Sequence, residues 1–201
     1  MIKTILAILL LLNLGVASLH IATAHSAQIS ISSDGVDIHY EVHGKGEPTL
    51  VFIHGWSCDR SYWRAQVEYF AKQYQVITID LAGHGESGTN RSEWNLRDYG
   101  TDVVSVVNAL QPEKLVLVGH SLGGHVALEA ASLMQEKVLM VIGADSLPDL
   151  SATFSEEEMM ALLQAMETDF RATAQDMVRS QMFLPEADIS LVEAVASDIG
   201  S

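Results

Sequence analysis

One short motif combines a nucleophilic side chain with a backbone turn that would expose it. Gly119-His120-Ser121-Leu122-Gly123 lies between an apolar segment typical of a buried strand and a segment typical of a helix. A sharp turn from strand to helix needs small neighbours, and Gly119, Gly123 and Gly124 supply them. The Ser121 hydroxyl would then stand at a helix N-terminus, where backbone N–H groups stabilise negative charge developing on an oxygen. The motif predicts nucleophilic catalysis by Ser121.

Two further segments support this interpretation over the alternative of a glycine-rich turn with an incidental serine. His54-Gly55-Trp56 follows an earlier strand-like segment, and a glycine-rich loop from Asp80 to Gly88 follows the next one. Three independent features thus come directly after successive strand-like segments, which an incidental serine would not explain.

Strand-like and helix-like segments alternate along much of the chain, as is typical of an α/β fold with a mostly parallel sheet. The two leading strands are predicted to form a hairpin across Ser33-Asp34-Gly35. Four later apolar segments predict buried strands, and three stretches with apolar residues at helical spacing predict helices. The predicted strands are Gln28–Ser32, Val36–Val42, Thr49–His54, Gln75–Asp80, Lys114–Gly119 and Val138–Gly143, and the predicted helices span Trp63–Tyr74, Leu96–Leu110 and Leu122–Leu133.

From about Gln28 to Leu147 the sequence resembles the α/β-hydrolase superfamily, because these motifs occur there in the same order. The resemblance implies that Ser121 is the nucleophile and that the backbone N–H groups of Trp56 and Leu122 form the oxyanion hole. Members that open epoxides or displace halide carry an aspartate at the nucleophile position, whereas serine suits acyl transfer through an acyl-enzyme. The implied activity is hydrolysis of carboxylic esters or related acyl substrates, as in esterases and lipases.

The sequence offers no convincing histidine as the base for Ser121. The superfamily order is Ser, then Asp or Glu, then His, but the last histidine is His125, four residues after Ser121 on the same predicted helix. Asp145, after the predicted strand Val138–Gly143, is the candidate acid, and the alternative is that it only begins a loop. No residue spacing indicates a metal site, and no cofactor is expected. The chain as written is therefore expected to be inactive or a very weak enzyme.

Relatives of this type continue through further lid helices into two more strands. We therefore interpret the chain as an α/β-hydrolase whose last two strands are missing, shorter by about 80 to 100 residues than a usual domain of this architecture. One possible function is a serine hydrolase whose C-terminal part is absent. The other is a non-catalytic small-molecule binding protein or remnant. The first is favoured, because a strained serine turn has little use without chemistry.

The N-terminal segment predicts export. Lys3 precedes an apolar core of signal-peptide length, Ile5–Leu19, and Ala22-Thr23-Ala24 supplies the small residues of a cleavage site. The predicted domains are a signal peptide at 1–24, a hydrolase core with six strands at 25–150 and an incomplete helical lid at 151–201. The expected location is secreted or periplasmic, with no stable anchor after cleavage, and the alternative is an uncleaved N-terminal membrane anchor.

An excess of acidic residues limits the partners. Eleven Lys+Arg against 26 Asp+Glu give a formal charge of -15, which disfavours nucleic acid and anionic lipid. Asp145–Ser201 holds twelve acidic and two basic residues and five of the eight methionines, and Ser155 with Glu158 predicts a capping box there. Methionines suit a surface that fits apolar ligands of varied shape, although core packing explains them equally well. The expected partner is a small acyl substrate that is hydrophobic and uncharged.

Overall fold

A six-stranded mixed sheet forms the centre of the protein. The computed structural model describes residues 27–146 and 155–199. The strand order is β1-β2-β4-β3-β5-β6, in which β1, β2 and β4 pair antiparallel and the pairs β4–β3, β3–β5 and β5–β6 are parallel. The strands are β1 (Gln28–Ile31), β2 (Asp37–His43), β3 (Thr49–Ile53), β4 (Val76–Ile79), β5 (Leu115–His120) and β6 (Val138–Ala144). The predicted hairpin and parallel strands are confirmed to within one or two residues.

Six α-helices are present in the described ranges, three between strands and three after β6. The helices are α1 (Arg64–Phe70), α2 (Leu96–Leu110), α3 (Leu122–Leu133), α4 (Glu156–Thr168), α5 (Phe170–Gln181) and α6 (Ile189–Asp198). A 3-10 turn at Arg60–Trp63 leads into α1. The predicted capping box is confirmed at the start of α4, where Ser155 Oγ accepts from the Glu158 backbone N–H and Glu158 accepts from the Ser155 backbone N–H.

Apolar side chains of the sheet are buried on both faces, because consecutive residues of a strand point to opposite sides. In β3, Val51 and Ile53 pack in the core formed with α2 and α3, whereas Phe52 packs with Trp63 and Phe70 on the opposite face. A strand covered on both faces reads as a continuous apolar run, which is why the sequence pattern predicted these strands well.

The exposure predicted for β6 is wrong, although the strand itself is present. The sequence predicts a buried strand at Val138–Gly143, but Leu139 and Met140 keep 57% and 56% of their surface exposed. Within the described residues β6 pairs with β5 alone, so its outer edge and much of its surface are uncovered. A run of apolar residues reports hydrophobicity, and it does not report whether a neighbouring strand covers it.

The three helices after β6 form a small separate packing unit. Ala174 and Val178 of α5 are buried against Ala196 of α6 and Ile199, whereas α4 contains no buried residue. Met159, Met160 and Met182 are exposed, so these three do not pack in the core. None of the described helices is long and apolar enough to cross a membrane. The predicted signal peptide at 1–24 and the predicted boundary at 150–151 lie outside the described residues.

Candidate active site

Ser121 has the backbone geometry that the motif predicts. It lies between β5 and α3 with φ 50° and ψ −120°, a left-handed conformation that costs a non-glycine residue about 1–3 kcal/mol. Its backbone N–H donates to the carbonyl of Ala144 at 3.1 Å, which ties the turn to the end of β6. The strain is maintained by this bond and by the packing around the turn.

Two glycines allow α3 to begin directly against the sheet. A Cβ at Gly119 would overlap the carbonyl oxygen of Gly123, and a Cβ at Gly123 would overlap the carbonyl oxygen of Ile53 in β3. Backbone thus meets backbone at both positions, where no side chain can move aside. The glycines of the motif are required by this close approach.

The segment that carries Trp56 lies beside Ser121. A Cβ at Gly55 would lie 3.3 Å from Ser121 Cβ and 2.9 Å from His120 Nδ1, so this loop is in contact with the turn. Leu122 is the first residue of α3. The structure therefore brings together the two backbone segments that were assigned to the oxyanion hole, and the roles of Trp56 and Leu122 stay predictions.

His54 is a structural residue of this loop. Its Nδ1 lies 2.7 Å from the Gly55 carbonyl oxygen and its Nε2 accepts from the Leu81 backbone N–H at 3.0 Å. The two bonds fit a neutral ring protonated at Nδ1. Burial lowers the pKa of His54 to about 4, against a smaller opposing effect of its bond to Gly55. With both nitrogens occupied, His54 has no position free to accept a proton from Ser121.

The loop after β4 is held by the buried carboxylate of Asp80. Asp80 accepts from the backbone N–H groups of Arg60 at 2.7 Å and of Glu86 at 3.0 Å, and it pairs with the Arg60 guanidinium. Arg60 also bonds Glu41 through Nε at 3.1 Å. Because this network fixes the loop from Gly83 to Gly88, Asp80 has a positioning role that residue type alone did not reveal.

The structure does not assemble a catalytic triad around Ser121 within the described residues. Asp145 follows the end of β6 with φ 48°, is exposed, and has no hydrogen-bond partner in ranges 27–146 and 155–199. His125 lies one helical turn beyond Ser121, and no described histidine bonds the Ser121 hydroxyl. Asp145 as acid therefore stays a prediction without a histidine to orient.

A cleft beside the oxyanion loop was not predicted from sequence. It has a volume of about 540 Å³, and we call it the aromatic cleft. It does not include Ser121, and Trp56 connects the two features. Its lining residues are Trp56, Ser57, Cys58, Asp59, Gly83, His84, Gly85, Thr89, Trp94, Tyr99, Phe170 and Asp198. They come from four separate parts of the chain, namely 56–59, 83–99, α5 and α6, and no spacing along the chain could have revealed that these parts meet.

The helices after β6, which the sequence predicts to be a lid, touch the core at the rim of this cleft. We call these helices the lid. Phe170 of α5 contacts the Trp56 ring edge to face, with 5.3 Å between centroids. The Tyr62 hydroxyl donates to Asp198 Oδ2 at 2.6 Å. Both contacts reach the segment from Trp56 to Trp63, so the lid rests on the loop that leads out of the candidate oxyanion hole.

The chain belongs to the α/β-hydrolase fold family, whose sequence model matches residues 48–184. It is 32% identical over 164 residues, 78% of its length, to the pimeloyl-[acyl-carrier protein] methyl ester esterase of Aliivibrio fischeri. It is 32% identical over 117 residues, 57% of its length, to human epoxide hydrolase 4, of which 32% is covered. An esterase structure from Exiguobacterium antarcticum matches with a TM-score of 0.76 at 20% identity, covering 86% of this chain and 67% of that one. This last match shows the fold alone.

The family model confirms the predicted superfamily and fold class, and the Aliivibrio and human relatives are both hydrolases. The chain spans 62% of the length of the Aliivibrio esterase it matches. No group of three or more His, Cys, Asp or Glu side chains that could hold a metal ion occurs in the described part of the chain.

Proposed function

We propose that the protein is a serine hydrolase of small carboxylic esters or related acyl compounds, acting through an acyl-enzyme on Ser121. The strained turn carries this proposal: Ser121 has φ 50° at the N-terminus of a twelve-residue helix, beside the Gly55–Trp56 segment. The esterase among the matched relatives supports an ester substrate. A serine at this position favours acyl transfer over epoxide opening, since an alkyl-ester mechanism needs a carboxylate nucleophile.

In the proposed reaction, Ser121 Oγ forms a bond to the carbonyl carbon and its proton passes to a base. The carbonyl oxygen becomes negative and is stabilised by the backbone N–H groups of Trp56 and Leu122. Collapse of this intermediate expels the alcohol with the proton from the base, and water then releases the acid by the same route. When no histidine serves as the base, the oxyanion hole and substrate binding leave residual catalysis of about 10³–10⁴ over water. Turnover of the chain is therefore expected to be slow.

Labelling with a fluorophosphonate in the presence and absence of free imidazole tests the proposal. Imidazole would replace the missing base, so it should accelerate labelling of the full chain at Ser121. Ser121→Ala should stay unlabelled, and His125→Ala should behave as the unaltered chain. A label on another serine, or no label even with imidazole, would remove Ser121 as nucleophile. Loss of labelling in His125→Ala alone would make His125 the base.

A second candidate function is a binding protein that keeps the hydrolase scaffold. It is supported by the observation that no histidine in ranges 27–146 and 155–199 bonds the Ser121 hydroxyl. The coding DNA after codon 201 distinguishes the two candidates. A stop codon there favours binding. An apolar strand ending near Asp or Glu and followed by a Gly-His pair favours the hydrolase.

We also propose export, on the basis of Lys3, the apolar core Ile5–Leu19 and the small residues at Ala22-Thr23-Ala24. N-terminal sequencing of the secreted or periplasmic protein should begin near His25. An intact Met1 in a membrane fraction would instead indicate an uncleaved anchor.

A further inference from the structure

The aromatic cleft presents ring surfaces from both the core and the lid. Trp56 and Phe170 meet at its rim, and Trp94 lies 6.1 Å from Tyr99 between ring centroids. Trp56, Trp94 and Phe170 are all exposed, so their rings are open to a ligand. Aromatic faces carry negative electrostatic potential and attract both apolar groups and cations.

Two carboxylates lie in the same cleft, and Lys and Arg are absent from its described lining. Asp59 Oδ1 accepts from the Ser61 backbone N–H at 2.7 Å, and Asp198 Oδ2 accepts from Tyr62 at 2.6 Å. Each carboxylate thus uses one oxygen for a local bond. No Lys or Arg of the described residues forms an ion pair with either carboxylate, and Arg64 lines neighbouring cavities with each of them rather than the aromatic cleft. Within that part of the chain, both carboxylates therefore lack a direct ion-pair partner.

Neighbouring groups respond to this charge. The pKa of the Cys58 thiol is raised to about 11, chiefly by burial and also by the charges of Asp59 and Asp198, against a bond from Tyr62. Burial, the bond to Asp198 and the same two carboxylates hold the pKa of Tyr62 above its ordinary value. Both groups resist becoming anions because they are buried and this end of the cleft is already negative.

Arg91 lies near two aromatic rings of the cleft but does not line the cleft itself. Arg91 lies 5.7 Å from the Trp94 ring centroid and 5.8 Å from that of Tyr99. Its side chain is 2% exposed and bonds the carboxylates of Asp34 and Asp102. Its charge is therefore balanced by these two carboxylates within the core.

We infer that the aromatic cleft binds a positively charged ammonium group, protonated or quaternary, carried by the part of the substrate remote from the reacting carbonyl. Exposed rings and carboxylates without an ion-pair partner both favour such a group, and both disfavour an anion. The sequence predicts a hydrophobic, uncharged substrate, and a positive charge outside the acyl part departs from that prediction. That the occupant is a substrate rests on the proposed hydrolase function, whereas recognition of the cation does not.

Three isosteric probes measure the preference directly at pH 8 and low ionic strength. They are choline, neutral 3,3-dimethylbutan-1-ol and anionic 3,3-dimethylbutanoate, each titrated against the tryptophan fluorescence of the full chain. Choline should bind about tenfold more tightly than the neutral alcohol, the carboxylate should bind most weakly, and added salt should reduce the preference. Equal binding of choline and the alcohol would overturn the inference.

Asp59→Asn and Asp198→Asn remove charge while keeping an oxygen for the Ser61 and Tyr62 bonds. Each should lower the choline preference about threefold, and together they should abolish it. Asp176→Asn, an exposed lid residue outside the cleft, is the matched control and should change nothing. An unchanged preference in the double variant contradicts the inference. If a variant does not fold, a choline preference of the unaltered chain that is insensitive to added salt contradicts it equally.

Ser121→Ala separates this inference from the proposed function. Choline binding should be unaffected in this variant, because Ser121 does not line the cleft. Choline binding without fluorophosphonate labelling of the unaltered chain would refute the hydrolase and keep the cation site. Labelling at Ser121 without a choline preference would support the hydrolase and refute the cation site.

Discussion

The sheet region and the lid differ in how firmly they hold their polar contacts. In residues 27–146, Asp102 is fully buried and is bonded through both oxygens by Arg91. In residues 155–199, the comparable pair of Arg179 and Glu193 is exposed on both sides. The nucleophile turn belongs to the first region and most of the methionines to the second. A region with buried ion pairs thus positions the proposed nucleophile, and a region with exposed ion pairs contacts the neighbouring loop at Trp56 and Tyr62.

The largest effect is expected from Arg91→Ala. This change leaves the fully buried Asp102 without its cation, and loss of one member of a buried pair costs about 3–5 kcal/mol of stability. Urea unfolding measures the loss. Arg179→Ala is the matched change in the lid and should leave the midpoint nearly unchanged, because exposed ion pairs contribute little. Equal losses for the two variants would show that the regions are not distinct in this respect.

A somewhat smaller loss is expected from Gly123→Ala, about 3 kcal/mol, because the added methyl would overlap the Ile53 carbonyl and force backbone apart. Gly35→Ala is its control, with φ 87° and no atom within 4 Å of the added Cβ. Only the cost of a left-handed conformation, about 1–2 kcal/mol, should appear there. If both variants unfold at the same urea concentration, the close contact with the Ile53 carbonyl does not explain why position 123 is a glycine.

Stability should fall in mildly acidic solution because of His54. Its pKa is about 4 when folded against 6.5 for the ordinary side chain, so the unfolded chain takes up the proton first. The free energy of unfolding is not reduced by His54 above pH 6.5. It falls as the pH is lowered towards 4, by about 2 kcal/mol between pH 6.5 and 5. Urea unfolding at several pH values tests this. His54→Gln should have a flatter profile over that range, and an equally steep one would assign the effect to other groups.

The smallest effect on stability is expected from replacing Met159, Met166 and Met177 together by alanine, since none of them is buried. The same variant should alter the relative rates at which short-chain and long-chain alkyl fluorophosphonates label Ser121. If the labelling rates keep the same dependence on chain length and stability falls sharply, these methionines pack in the core and do not select the substrate.

Local sequence patterns predicted elements of both regions well. Leu122–Leu133 was predicted to the residue, and the capping box of Ser155 and Glu158 was also found, since both depend on neighbouring residues alone. The contact between Trp56 and Phe170 joins positions 114 residues apart, and no periodicity encodes such a distance. The paired role of Arg91 was hidden for the same reason, because Asp34 and Asp102 are brought to it only by the folded chain.

In the part of the chain that the structure describes, the outer edge of β6 is uncovered, and this bears on how the protein behaves at high concentration. An apolar strand with an unpaired edge is a template for strand addition between molecules, and this favours inclusion bodies and slow precipitation. The net charge of -15 opposes close approach of two copies at low ionic strength. Salt screens that repulsion while leaving the apolar edge unchanged. Dilute buffers of low ionic strength are therefore the conditions under which the protein should remain dispersed during purification.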